Sequence, residues 1–536
     1  MEIQLLTYLI VFSGVVNLLR MSLFLIGSDI YNIMAAKHKK TTIPATALPS
    51  FSVVIPARNE EGTVVRAIES VLSSNYPKDR IQIIVVDDGS TDNTGTNVQN
   101  YIASQKDTVI TLVQQKNAGK AHALNNGIKN HAKGDLVMCL DADSFIKKDA
   151  LQKAAKHFTD PKVVAMSSNV KIIERPGLLN FIQRYEYLVC YQMKRAESLL
   201  NCEYIIGGIG SVFRRTTLEQ INYYDTNTVT EDIDITMKVI NLGNKENKVT
   251  YGSDVVTYTE SVMNIPDLIK QRYRWKWGRC QTFFKNRSMF FSRDMKFTKS
   301  LTMFYLPLAI LGDIMYFLEP LLLTYIITIS IVYQDPSALI NAWIVISSYM
   351  ILNILAEDTY SQKEKAKYIL GAPFMYGLLY ILSFVEYIAL IKSLSKLHKI
   401  KESLSNTKTD WVRVDRHREN ISYTPAFGRW TMQLVLILVA FLFAFAGMFT
   451  YVQIDKIVQA STTMKTYTHP KQIEIITPKP EQLVSLHVVQ NGETLWKISK
   501  KYYGKGALWK NLKVANANTK LRPGDIVEVP PLETIK

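Results

Sequence analysis

Cysteine is nearly missing from this chain, with four in 536 residues. Cys139, Cys190, Cys202 and Cys280 have no metal-ligand spacing and none follows Cys280, which argues against a disulfide scaffold and a structural zinc site. Charged residues are also few, 21% against 47% apolar, so disordered, collagen-like and coiled-coil classes are excluded. Acidic residues are outnumbered, 47 Asp and Glu against 63 Lys and Arg, leaving a net charge of +16. Such a surplus suits nucleic acid, an anionic membrane or an anionic substrate. No nucleic-acid motif accompanies it, and Lys and Arg beside apolar tracts account for it. No nucleic-acid partner is expected. The mean hydropathy of +0.02 averages long apolar tracts with ordinary globular sequence, and the length predicts about three folded units.

Residues 3–26 are almost all apolar, enough to cross a ~30 Å hydrocarbon core. Glu2 stands at the front, Arg20 interrupts the run, and Lys37, Lys39 and Lys40 follow it. That pattern is not a cleaved signal peptide; it predicts an anchor over residues 1–30 with its N-terminus outside. Further apolar tracts lie at 301–333, 338–356, 369–393 and 431–452. Arg413, Arg416, Arg418 and Arg429 precede the last, which places 394–430 in the cytoplasm and residue 453 outside. Three single crossings within 301–393 would put the basic stretch on the wrong side. One middle tract is therefore expected not to cross: 301–333, which carries Pro307, Asp313 and Glu319-Pro320, or 369–393, which carries Pro373 and Glu386.

Between residues 50 and 260 short β-branched runs alternate with amphipathic stretches, the pattern of an α/β domain, and the domain is expected to span 50–285. Ser52 to Ile55, Ile81 to Val86 and Leu136 to Leu140 read as strands, and Val64 to Ser73 as a helix. Carboxylates follow two of these strands, at Asp87-Asp88 through Asp92 and at Asp141-Ala142-Asp143. The carboxyl ends of strands are where ligands of open α/β sheets gather. Asp87 and Asp92 also suit plain turn and cap roles. Two carboxylates one residue apart suit a hard divalent ion that also holds a diphosphate.

Six motifs in order give this stretch a resemblance to the glycosyltransferase family 2 catalytic domain, a nucleotide-sugar-binding α/β domain of GT-A fold. They are Val54-Ile55-Pro56-Ala57-Arg58-Asn59-Glu60, Val85 to Asp92, Asn117-Ala118-Gly119-Lys120-Ala121, Asp141-Ala142-Asp143, Thr230-Glu231-Asp232 and Gln271-Arg272-Tyr273-Arg274-Trp275. The last two, T-E-D and Q-x-x-R-W, resemble those of processive membrane synthases of cellulose, chitin, hyaluronan and poly-N-acetylglucosamine. The resemblance implies a UDP-sugar donor and Mg²⁺ or Mn²⁺ held by Asp143 with Asp141. It implies a donor pocket of Pro56, Ala57, Arg58, Glu60 and Lys120, with Asp88 against the uridine. Asp232 is implied as the catalytic base, Arg274 as a diphosphate contact and Trp275 as the platform under the acceptor sugar, with Gln271 beside them. Guanidinium suits a diphosphate because its fork is planar and always charged. Residues 176–200 and the Q-x-x-R-W segment read as helices at the membrane surface.

Residues 453–484, with Pro470, Pro478 and Pro480, read as a linker. Residues 486–530 then carry Gly492-Glu493-Thr494-Leu495-Trp496, Tyr502-Tyr503-Gly504, Asn516-Ala517-Asn518 and Leu521-Arg522-Pro523-Gly524-Asp525. They resemble a LysM module, a small α+β domain that binds N-acetylglucosamine-containing glycans such as peptidoglycan. The resemblance implies a glycan groove bordered by Gly492, Glu493, Thr494 and Leu495. The expected protein is a multi-pass cell-membrane enzyme with its transferase domain cytoplasmic and its LysM module extracellular. It would polymerise a UDP-sugar, first UDP-N-acetylglucosamine, into an exported polysaccharide. A UDP-glucose-dependent β-glucan synthase and a wall-anchored scaffold are the alternatives, and an accessory subunit is compatible with either.

Overall fold

The computed structural model describes residues 2–38, 43–44, 47–105, 110–405, 484–516, 521–530 and 532. The expected tract 431–452, nearly all of the linker 453–484 and most of the basic stretch 394–430 lie outside them. Contacts divide the chain into a unit of residues 1–445 and a unit of residues 446–536.

In the first unit the strands are β1 (Phe51–Ala57), β2 (Ile81–Asp88), β3 (Ile110–Gln115), β4 (Leu136–Cys139), β5 (Phe145–Ile146), β6 (Val163–Ile172), β7 (Ser211–Arg214) and β8 (Lys248–Thr259). The helices among them are α1 (Glu2–His38), α2 (Val64–Leu72), α3 (Thr94–Ser104), α4 (Lys120–His131), α5 (Ala150–His157), α6 (Leu178–Leu199), α7 (Arg215–Gln220), α8 (Glu231–Asn241) and α9 (Ile265–Lys285). One mixed sheet runs in the order β3-β2-β1-β4-β7-β6-β8-β5. β1, β2, β3 and β4 are parallel, and β7 enters antiparallel beside β4. β1 is buried at every position because helices cover both faces of the sheet. Val53 and Ile55 pack with Ala67, Ile68 and Val71 of α2, whereas Val54, Ile84 and Val86 pack with Leu124 and Ile128 of α4. β2 extends two residues past the predicted Val86, so Asp87 and Asp88 end the strand itself.

α6 is packed on more than its apolar side. Gln183, Gln192 and Arg195 are buried alongside Ile182, Tyr185 and Leu188, so its polar stripe meets protein rather than water. Ser28 on α1 donates to Gln192 (3.1 Å) and Asn32 accepts from Arg195 (2.5 Å). α1 carries an exposed apolar stripe from Phe12 and Val15 through Leu19, Leu23, Ile26 and Ile30 to Ile33.

α10 (Leu306–Val332), α11 (Ser337–Ala356), α12 (Gln362–Gly371), α13 (Met375–Leu394) and α14 (Ile400–Ser405) complete this unit. Among the described residues two helices are long and apolar enough to cross a membrane, Ser337–Ala356 and Gln362–Leu394. Asp313 of α10 and Glu386 of α13, charges inside apolar tracts, both meet α9. Lys276 lies 3.0 Å from Asp313 and 3.1 Å from Glu386, Arg279 pairs with Asp313, and Arg272 joins Glu386 (3.3 Å) to Glu186 of α6 (2.7 Å). Paired in this way, the carboxylates escape the cost of a lone charge in an apolar helix.

Both ends of the Gln362–Leu394 helix are tied to the α/β domain. Before it, Glu357 accepts from Arg195 (3.0 Å) and Gln192 (2.9 Å). After it, Leu404 accepts from Asn227 (3.1 Å) and Ser403 from Gln281 (3.0 Å).

The second unit pairs β9 (Ser485–Val488) antiparallel with β10 (Ile526–Val529) beside the helices Leu495–Tyr503 and Trp509–Ala515. Val489, Leu495, Ile498, Leu512, Val527 and Val529 form its core.

Candidate active site

The parallel order β2-β1-β4 brings three strand ends to one edge: Ala57, Asp88 and the Asp141-Ala142-Asp143 turn. Pro56 and Ala57 are buried within β1, and Arg58 and Glu60 continue from it partly exposed. Glu60 accepts from Thr63 (2.8 Å), fixing the turn into α2. Asp87 accepts from the Ser90 amide (2.9 Å) and Asp92 from the Thr94 amide (3.0 Å), the turn and cap roles allowed for them.

Asp88 is the residue expected against the uridine. It is fully buried, and its carboxylate accepts from Gln115 (2.8 Å), the Ala118 amide (2.9 Å) and the Gly119 amide (2.8 Å). A carboxylate accepting from three donors holds the Asn117–Gly119 turn. Its influence on the site passes through that turn, because Gly119 immediately precedes Lys120.

Lys120 is the hub. Its Nζ lies 2.7 Å from Asp141 Oδ1 and 2.9 Å from Glu231 Oε1, with its side chain 21% exposed. Burial alone would pull its pKa down, but the two carboxylates outweigh burial and hold it above the usual lysine value. Asp141 comes from the loop after β4 and Glu231 from the first turn of α8, so one ammonium joins the strand ends to the T-E-D helix. Gly208 lies against this cluster. A Cβ there would stand 3.0 Å from Lys120 Nζ, 3.7 Å from Glu231 Oε1 and 3.9 Å from Asp232 Oδ2. The motifs alone point neither to Gly208 nor to the Lys120 partner of Glu231.

Asp232 accepts from the Ile233 amide (2.9 Å). Thr230 occupies the N-cap of α8, yet its hydroxyl caps nothing and is buried without a hydrogen-bond partner. Capping therefore does not account for the motif. Burial, then the Glu231 charge, push the Asp232 pKa up to about 6 against the opposing pull of Lys120, the Ile233 amide and Arg274.

α9 opens on Asn264, whose side chain accepts from the Asp267 amide (2.9 Å). The Q-x-x-R-W residues lie a third of the way along it. Gln271 is buried, with its side-chain carbonyl unpartnered. Arg274 and Trp275 are partly exposed, and the Arg272 guanidinium covers one face of the Trp275 ring, 4.2 Å from its centroid.

Asp143 accepts from Ser144 (2.9 Å) on the turn after β4. Among the described residues no group of three or more His, Cys, Asp or Glu side chains forms a metal cage. Hard carboxylate oxygens at Asp143 and Asp141 fit Mg²⁺ or Mn²⁺ of the kind completed by substrate phosphates and water.

In the second unit the expected glycan-contacting side chains serve largely structural ends. Leu495 is core, Thr494 caps its helix by accepting from the Lys497 amide (3.4 Å), and Glu493 is bound to His487 (2.7 Å). Gly492 remains exposed at the turn, and Trp496 beside it is 47% exposed. Most of the loop after the second helix lies outside the described residues.

The glycosyl transferase family 2 model matches residues 52–221 and the LysM domain model matches residues 487–530. A poly-beta-1,6-N-acetyl-D-glucosamine synthase of Staphylococcus aureus (strain MSSA476) is 32% identical over 267 residues, which is 48% of this chain and 62% of the relative. The synthase of the same name from Staphylococcus epidermidis is 34% identical over 229 residues, 42% of this chain and 54% of the relative. The chain thus spans between half and two thirds of the relatives it matches. A mannosyltransferase from Pyrobaculum calidifontis, solved with GDP-Man and Mn²⁺, is 23% identical with a TM-score of 0.43, covering 72% of this chain and 99% of its own.

Proposed function

We propose that this chain, which carries a glycosyltransferase family 2 domain and a LysM domain, is a membrane-bound processive inverting β-glycosyltransferase. Its donor is UDP-N-acetylglucosamine and its product an exported polysaccharide. The observation that carries this reading is the Lys120 bridge, which places Glu231 and Asp232 of α8 beside the Asp141 turn. The choice of sugar draws on the relatives, named as poly-N-acetylglucosamine synthases, and on the LysM domain. Asp232 takes the proton of the acceptor hydroxyl as that oxygen attacks the anomeric carbon in line. The bond from that carbon to the diphosphate breaks, and UDP leaves on the opposite face. Arg274 contacts the departing diphosphate. Asp143 and Asp141 would hold a divalent cation, which supplies further positive charge to the leaving group. Trp275 offers the acceptor sugar a flat apolar surface, which tolerates a polymer that must slide.

A rate that needs ionised Asp232 falls as pH drops through about 6 and levels off above it. The kcat/KM profile of UDP release checks this; a flat profile from pH 5 to 8 would remove Asp232 from the role. Asp143→Asn is expected to raise the Mn²⁺ concentration needed for half-maximal UDP release by roughly tenfold or more. Unchanged metal dependence would remove Asp143 as a ligand.

The same proposal includes a topology. α1 crosses with its apolar stripe toward lipid, α10 and α11 form a crossing hairpin, and the Gln362–Leu394 helix lies along the membrane surface. The last point rests on the ties at Glu357 and at Ser403 and Leu404, which keep both ends of that helix on the domain's side. With 431–452 crossing once, 394–430 is cytoplasmic and the LysM domain lies outside, where it meets N-acetylated glycan.

A further inference from the structure

α8 carries Asp232, and α9 carries Arg274 and Trp275. Nothing in the motifs themselves says what sets the distance between the two helices. The seam between them is closed at three heights. At the far end Lys285 of α9 pairs with Asp234 of α8 at 2.8 Å. One turn nearer, Gln281 accepts from the Val229 amide (3.0 Å). Nearer still stands Gly278, where a Cβ would come within 2.2 Å of Thr230 Oγ1, 2.5 Å of its Cγ2 and 2.7 Å of its Cβ. Lys285, Gln281, Gly278 and Arg274 follow one another at helical spacing, so they share one face of α9. Thr230 is the residue directly before Glu231-Asp232, and Gly278 lies one turn beyond Arg274.

We propose that Gly278 is a positioning residue: its missing side chain lets α9 seat on Thr230 and so holds Arg274 and Trp275 in register with Asp232. The inference rests on the reading of Asp232 as the base. It concerns distance rather than chemistry, since neither Gly278 nor Thr230 supplies a reacting group. No side chain could shift cheaply to admit a methyl group at 278, because Thr230 Cβ is itself within 2.7 Å.

Gly278→Ala is expected to lower kcat for polymer formation by roughly 10–100-fold, the scale of a ~1 Å misplacement between catalytic groups. The donor KM should stay within about twofold, because the strand-end pocket does not involve this contact. The double variant Gly278→Ala/Thr230→Gly moves the vacancy to the other side of the seam and should recover most of the lost kcat. Glycine is acceptable at an N-cap, and the Thr230 hydroxyl makes no capping bond. A single variant with wild-type kcat, or a double variant as slow as the single, overturns the proposal. A structure of Gly278→Ala reads the same claim without activity. α9 should be displaced from α8 by about 1 Å, what a 2.2 Å contact needs to approach ordinary separation, and an unshifted α9 overturns it. If the wild-type enzyme polymerises no donor, the transferase reading fails by itself, and the displacement still decides the spacing.

Discussion

Asp232→Asn is expected to abolish polymer synthesis while leaving UDP binding intact. Asn keeps the shape of the side chain and an oxygen to accept from the Ile233 amide, but it cannot take a proton. General base catalysis accounts for ~10²–10⁴ in rate, and a loss of that size puts chain elongation below detection in a vesicle assay. The proposed donor pocket stands at the ends of β1 and β4, so isothermal titration with UDP should give a dissociation constant close to that of the parent. The same variant should be harder to unfold at neutral pH. The folded-state pKa of Asp232 is raised above its ordinary value. Ionised Asp232 therefore weakens the fold above about pH 6, and this penalty disappears as pH falls below the ordinary aspartate value. A thermal melt with Asn ahead of Asp at pH 7.5 and level with it near pH 3.5 supports the account. Elongation by Asp232→Asn at the parent rate would end it.

Lys120→Met is expected to move the pH dependence of the rate, for an electrostatic reason. Lys120 is the cation shared by Asp141 and Glu231, and its charge also pulls the Asp232 pKa down. Removing one partner from an enclosed ion pair costs ~3–5 kcal/mol when the remaining charge cannot relax. Here part of that cost is avoided because the neighbouring Asp232, already raised to about 6, can take up a proton. That response moves the base the wrong way. With its pKa raised further from about 6, a larger fraction of Asp232 is protonated at pH 7, so the rate there falls about twofold for a one-unit rise and recovers at higher pH. The acid limb of the pH–rate profile should move up by roughly one unit. Lys120→Arg keeps the charge on a larger, flatter group and should shift the limb less than Met does. An acid limb left in place by Lys120→Met would mean that this lysine does not govern the base.

Much of the sheet was legible because β-branched runs bounded by turn residues have few alternatives. β1, β2 and β4 fall within a residue or two of the expected strands, and the Leu178–Leu199 helix within two of its expected ends. The site was legible as a set of motifs, but not as a set of contacts. Period and spacing locate Lys120, Asp141 and Glu231 on separate elements; only the fold brings their charges within 3 Å. Asp88 is a second case. Its place at a strand end is legible, but the Ala118 and Gly119 amides that hold it lie 30 and 31 residues on and reach it only through the fold. In the second unit the resemblance places Leu495 at the border of a groove, and the structure shows its side chain within the core. The charges in the apolar tracts were visible as anomalies at Asp313 and Glu386. Their partners were not, because the cations that pair with them lie on α9, well away in sequence.

The most direct test of the central claim is to incubate membrane vesicles containing the full chain with Mn²⁺ and a panel of UDP-sugars. UDP release and the size of the labelled product are followed together. The account predicts that UDP-N-acetylglucosamine is turned over fastest and that the label enters long chains. Release of UDP from UDP-glucose alone would contradict the choice of sugar, and release from no donor would contradict the transferase reading itself.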